Sequence, residues 1–344
     1  MSVGRTAFFS PQVALFLLSS LLLPAAVAQT ALDAAHMNDV HITPRTGAAL
    51  ATASLGAAAP LIRQSVDLVL VPVSVTDAME RLVIGLRQEN FSVLDGKQAQ
   101  QIKHFSREDA PLSVGIIVDL SGSMKNKIDR AREAVTQFCE EANLQDEFFL
   151  ITFSNQPHLV TDFTRPEEIE QQLLFARAGG QTALLDAIYM GLRKMREAKY
   201  GKKALLIISD GGDNHSRYGE GELKAAVKEA DVMVYAIGTF DRYFSTEEES
   251  LGPELLSNLA EVTGGRAFVL ENPNAMPDLA RRIGTELRTQ YVLGYRPEQV
   301  PRDGKWHKIS VKLKLPKRLK SLRAHARTGY YAASAEPHDV TASR

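Results

Sequence analysis

The chain has 344 residues, 44% of them hydrophobic and 24% charged, with a formal net charge of −1 at pH 7. This is ordinary globular composition, long enough for one large core or two smaller ones. The near-neutral balance gives no reason to expect nucleic acid as a partner.

Residues 1–28 read as a signal peptide. Arg5 is a weak positive start, "VALFLLSSLLL" (Val13 to Leu23) is an apolar run too short to span a bilayer, and "AVA" (Ala26 to Ala28) is a small-x-small cleavage site. A retained anchor is the competing reading. Cleavage would start the mature chain at Gln29 and, by removing Arg5, take the net charge from −1 to −2. The expected location is the periplasm or the extracellular space. Membrane contact after cleavage is not expected, because no second apolar run is long enough to cross. The one cysteine, Cys139, lies away from the cleavage site, which argues against a lipid-modified N-terminus and leaves no intramolecular disulfide. It falls on the apolar side of a predicted helix and reads as a small core residue.

Residues 29–62 are rich in Ala, Thr and Gly without a period, and read as a disordered leader. Residues 63–111 read as a β segment: "SVDLVLVPVSVTD" from Ser65, then two short strands in "NFSVLDGKQAQQIKHFS" around Asp95-Gly96. From 112 to 290 the pattern alternates. Apolar strands are expected at 114–120, 147–154, 204–210, 232–239 and 266–272, with a short edge strand at 158–164. Between them lie helical stretches, in which Ile128, Ala131, Val135, Phe138 and Ala142, and then Leu185, Ile188, Leu192 and Met195, step by three and four along one face. This predicts an α/β fold with a doubly wound, mostly parallel sheet covered on both faces. Residues 291–333 return to β: "HKISVKLKL" puts Ile309, Val311, Leu313 and Leu315 on one face, and "LRAHARTGYY" alternates too. Each β segment looks too small to stand alone, so the two are expected to pair into one sandwich-like unit with the α/β domain inserted. Residues 334–344 read as a disordered tail.

Where the first α/β strand ends, "VDLSGSM" sets Asp119, Ser121 and Ser123 two residues apart in a tight turn. A nucleophile, a helix cap and half of a cation site compete to explain them. In parallel sheets ligands bind beyond the carboxyl ends of the strands. Two other segments reach that edge: "AGGQTALLD" brings Thr182 and "IISDGGDN" brings Asp210. Three separated segments thus offer hard oxygens to one point, a set suited to Mg²⁺, or to Mn²⁺ or Ca²⁺. At least one coordination position stays free, and its natural occupant is an Asp or Glu carboxylate of another protein.

Asp119-x-Ser121-x-Ser123 with Thr182 and Asp210 resembles the metal-ion-dependent adhesion site (MIDAS) of von Willebrand factor type A (VWA) domains at all five positions, over about 112–290. The resemblance implies that Asp119, Ser121 and Ser123 are metal ligands, Thr182 a direct or water-mediated one, and Asp210 a ligand acting mostly through water. The flanks, with "VDLVLVPVSVTD" before and Arg323, Arg327, Gly329 and Tyr330 after, resemble exported bacterial VWA-related proteins. The helix expected at 275–290 runs into the C-terminal strands; in related adhesion domains it shifts when ligand fills the metal site.

Enzyme signatures are weak. There is no Gly-x-Ser-x-Gly elbow, phosphate-binding Gly-x4-Gly-Lys-Ser/Thr loop, dinucleotide Gly-x-Gly-x-x-Gly or His-Glu-x-x-His. A Mg²⁺-dependent hydrolase using Asp186 or Asp213 as base is the alternative, although Asp213, in a Gly-rich turn, reads first as a solvated loop carboxylate. An assembly subunit of an exported complex is a third reading. The basic run at 312–327, with seven Lys or Arg, reads as the wet faces of a hairpin rather than an anionic-surface contact. Trp306 is expected to pack on the sandwich. The reading is therefore an exported, non-enzymatic interaction module that grips an acidic group of a partner protein through a divalent metal.

Overall fold

A computed structural model describes residues 68–107, 109–210, 212–239, 247–297, 303–316 and 321–332. The expected signal peptide, leader and tail lie outside these residues. Among the described residues no helix is long and apolar enough to cross a membrane.

The α/β unit runs β5 (Leu112–Asp119), α1 (Ile128–Cys139), β6 (Glu147–Phe153), β7 (Pro157–Thr164), α2 (Pro166–Leu173), α3 (Leu184–Lys194), β8 (Lys202–Ser209), α4 (Glu220–Glu229), β9 (Met233–Thr239), α5 (Glu247–Thr263), β10 (Ala267–Leu270) and α6 (Met276–Arg288). The sheet order is β10-β9-β8-β5-β6-β7. All neighbours are parallel except the edge strand β7, which runs antiparallel to β6. Every residue of β5 is buried, as a central strand covered on both faces requires. Its side chains alternate between two cores. Ile116 and Val118 face α1, α2 and α6, and Ile117 faces α3, α4 and α5. The chain leaves β5 over the α1 face and enters the neighbouring β8 from the α3 face, so the crevice of this doubly wound sheet opens at the carboxyl end of β5. Cys139 is buried in the α1 core, as expected, and burial pushes its thiol far above the usual range.

The flanks do pair. Strands β1 (Val69–Thr76) and β4 (Ile102–Ser106) from before the α/β unit join β11 (Tyr291–Tyr295) and β13 (Arg323–Ala326) from after it, in the order β13-β1-β11-β4. Strands β2 (Phe91–Asp95) and β3 (Gln98–Gln100) join β12 (Trp306–Leu313) and β14 (Gly329–Tyr331), in the order β14-β12-β2-β3. Val71, Val73, Phe91, Val93, Tyr291, Leu293 and Ile309 close one core between these two antiparallel sheets. Asp95 Oδ2 ties them together by accepting from Tyr295 at 3.0 Å and from Tyr330 at 3.1 Å.

Two local expectations change. The 90–106 stretch makes three strands, not two. The Asp95-Gly96 turn, with Gly96 at φ 60°, closes the β2–β3 hairpin, and β4 then crosses to the other sheet. The alternating "LRAHARTGYY" also splits: β13 pairs with β1 and β14 with β12, on opposite sheets. Trp306 packs edge-on against Tyr331 across β12 and β14, with centroids 5.2 Å apart.

Candidate metal centre

The five oxygen-bearing residues lie in three loops at the carboxyl edge of β5 and β8. Asp119 is the last residue of β5 and is fully buried. Its Oδ1 accepts the Ser121 amide at 2.7 Å and its Oδ2 accepts the Ser209 hydroxyl at 2.6 Å. The turn that follows is anchored by Met124, buried without residual exposure. It carries the Ser121 and Ser123 hydroxyls side by side, 2.9 Å apart. Neither serine caps α1: Lys127 holds the N-cap position and no side chain donates or accepts there. The capping explanation for this turn therefore falls away.

Thr182 arrives on a loop stitched to both neighbouring strand ends. Gly179 N–H donates to Leu120 O at 2.7 Å, Gly122 N–H to Gly180 O at 3.0 Å, and Ala183 N–H to Ser154 O at 2.9 Å. Gly180 sits at φ 92°, and a Cβ there would come within 2.7 Å of Asn155 Oδ1. That oxygen is already used by the Gln181 amide at 2.8 Å. The 213–216 loop clamps the other side. Asn214 Oδ1 accepts Thr182 N–H at 2.9 Å, and Asp213 Oδ1 accepts Leu184 N–H at 2.8 Å and Ser216 Oγ–H at 2.6 Å.

This corrects the reading of Asp213 as a solvated loop carboxylate. It is half-buried and holds the first backbone amides of α3, where negative charge is favoured. Asp186, the other candidate base, is also committed: it accepts the amides of Arg217 at 2.9 Å and Tyr218 at 3.1 Å.

Asp210 follows β8 and is 4% exposed. Its Oδ2 pairs with Lys127 Nζ at 3.1 Å, and the same ammonium donates to Thr239 O at 3.3 Å. Its Oδ1 is buried with no hydrogen-bond partner. Burial, and then the charge of Asp210, raise the Asp119 carboxyl to about 7. Two buried carboxylates thus lie close enough to repel, only Asp210 is paired with an ammonium, and one Asp210 oxygen is left orphaned. This donor set of carboxylates and hydroxyls, without thiolate or imidazole, fits a hard divalent cation.

Sequence reasoning missed Lys127, Ser209 and Met124. Lys127 follows Ser123 by four residues, about one helical turn, and that spacing was the available signal. Ser209 and Met124 carry no signal apart from their neighbours.

Residues 114–212 match the family model described as von Willebrand factor type A domain, a span that contains all five candidate ligands. The chain carries a von Willebrand factor type A domain. Among solved structures, the chain is similar to the PilB minor pilin from Streptococcus sanguinis (13% identity, TM-score 0.42, covering 54% of this chain and 63% of that one). It is also similar to von Willebrand factor type A from Catenulispora acidiphila (14%, TM-score 0.45, 79% and 75%). A third is the vWF domain of the type V pili tip protein Mfa5 from Porphyromonas gingivalis (12%, TM-score 0.41, 52% and 97%). The chain thus spans 63% of the length of the PilB pilin. No curated protein matches it.

Proposed function

We propose that this protein is an exported binding module whose VWA domain engages an acidic group of a partner protein through a divalent metal, Mg²⁺ or alternatively Mn²⁺ or Ca²⁺. Asp119, Ser121, Ser123, Thr182 and Asp210 would hold the ion. The bound ion would supply an electrophilic coordination position for a partner's Asp or Glu carboxylate. The observation that carries this reading is the buried, unpartnered Oδ1 of Asp210 beside the raised carboxyl of Asp119. A buried polar atom without a partner costs about 1–3 kcal/mol, and a cation held by these residues would remove that cost. Binding rather than turnover is favoured because Asp186 and Asp213 are spent on backbone amides. Export rests on the sequence reading of residues 1–28.

The test is the melting temperature of the chain in Mg²⁺ and in EDTA, beside Asp119→Ala. Ion binding to the folded state alone stabilises by about 2.7 kcal/mol at a hundredfold excess over Kd. The expected outcome is a rise with Mg²⁺ in the wild type that Asp119→Ala lacks. No rise in the wild type at millimolar Mg²⁺ would overturn the metal reading.

A further inference from the structure

The parallel sheet has a second end. β8 finishes at the metal centre, but it begins, at Lys202 and Lys203, in the wall of a cavity of about 360 Å³ where the α/β unit meets the sandwich. We infer that this cavity is a binding site for a small amphipathic anion, an alkyl carboxylate whose chain lies on the apolar wall and whose head sits among the basic side chains. This inference is independent of the metal reading.

The apolar wall comes from both units. Val227 and Val262 contribute from the α/β side, and Pro72 and Val292 from the outer face of β1 and β11. Trp306 completes it, with Lys228 Nζ 5.6 Å above the ring centroid. A lining of this kind with a few polar groups at fixed places is the usual make-up of a small-molecule site.

The charges lean one way. Lys202, Lys203, Lys228 and Arg327 line the cavity, against the single carboxylate of Asp231. Asp231 is already paired with Arg327. The Lys202 and Lys203 ammoniums donate to carbonyls, Leu287 O and Met195 O, rather than to carboxylates. Asp109 acts on Lys202 from a distance and is itself bonded to Arg288 at 3.1 Å. Arg327 keeps a buried Nε–H with no acceptor. Burial lowers Lys202 to about 8, which marks its charge as incompletely compensated. An apolar recess bordered by four cations and one carboxylate attracts a molecule that is apolar along its body and anionic at its head.

Trp306 is the only tryptophan in the chain, so its emission reports on this cavity directly. The experiment titrates the full chain with decanoate below its micellar range and follows that emission, with decanol as the neutral counterpart. A saturable change is expected with decanoate. Decanol, and Lys228→Glu titrated with decanoate, are expected to bind about tenfold more weakly, the order of one lost charge contact. Val292→Phe, which fills the cavity, is expected to abolish the change. Lys228→Glu alters an exposed side chain and keeps the test valid should Val292→Phe fold poorly. Asp119→Ala is expected to bind decanoate as the wild type does. No saturable change in the wild type would overturn the inference, as would equal affinity for decanol and decanoate.

Discussion

Asp210 takes one carboxylate oxygen into the interior unbonded, while its other oxygen meets the ammonium of Lys127. That lysine gives a cluster with two buried carboxylates one positive charge and leaves it short of balance. Removing it should expose the deficit. Lys127→Met is expected to destabilise the EDTA-treated protein by roughly 2 kcal/mol, less than for a fully buried pair because the lysine side chain is 19% exposed. The Mg²⁺-induced rise in melting temperature should then be larger than in the wild type, since the ion takes over the missing charge. An equal or smaller rise would mean that Lys127 does not compensate the cluster. The five ligand candidates were legible one by one, because strand ends and glycine turns mark them. Lys127 was not, because its meaning depends on a carboxylate 83 positions away in the chain.

At the scale of elements, the site depends on loops that are held more tightly than their composition suggests. Gly180 is the clearest case. Its positive φ and the Asn155 carboxamide behind it leave no room for a side chain. Gly180→Ala is expected to cost more than about 1 kcal/mol in urea unfolding. It should also weaken the Mg²⁺ response, because the loop carrying Thr182 must shift. Unchanged stability would show that the loop tolerates the displacement. Hydrophobic periodicity revealed the buried strands and the long helices, whose patterns repeat over several turns. It did not reveal the split of residues 323–331 between two sheets, because alternation is the same whichever sheet a strand joins.

Across the whole molecule, one buried polar network joins the α/β unit to the sandwich. Glu286 on α6 is 3% exposed and accepts Tyr235 Oη–H at 3.0 Å and Arg266 Nη1–H at 2.9 Å. Arg266 reaches on to Glu80 in the sandwich flank, and Gln290, just after α6, donates to Ser74 of β1 at 3.2 Å. The last helix is therefore held at the junction, where a displacement of α6 would be felt by the sandwich. Glu286→Ala leaves Arg266 and Tyr235 buried beside a lost partner and is expected to cost about 3 kcal/mol in denaturant unfolding. A loss below about 1 kcal/mol would show that Glu80 alone satisfies the guanidinium.

By itself the sequence determined the α/β pattern, the strand-end position of the candidate ligands and the need of the two β flanks for each other. Each of these follows from local periodicity or from turn chemistry within a few residues. Only the tertiary structure decided that Lys127 meets Asp210, that Asp213 holds the start of α3 and that a basic, apolar cavity lies at the opposite end of the sheet. Those outcomes depend on segments distant in the chain coming together and on how much water is left between them, and neither is encoded in spacing along the chain.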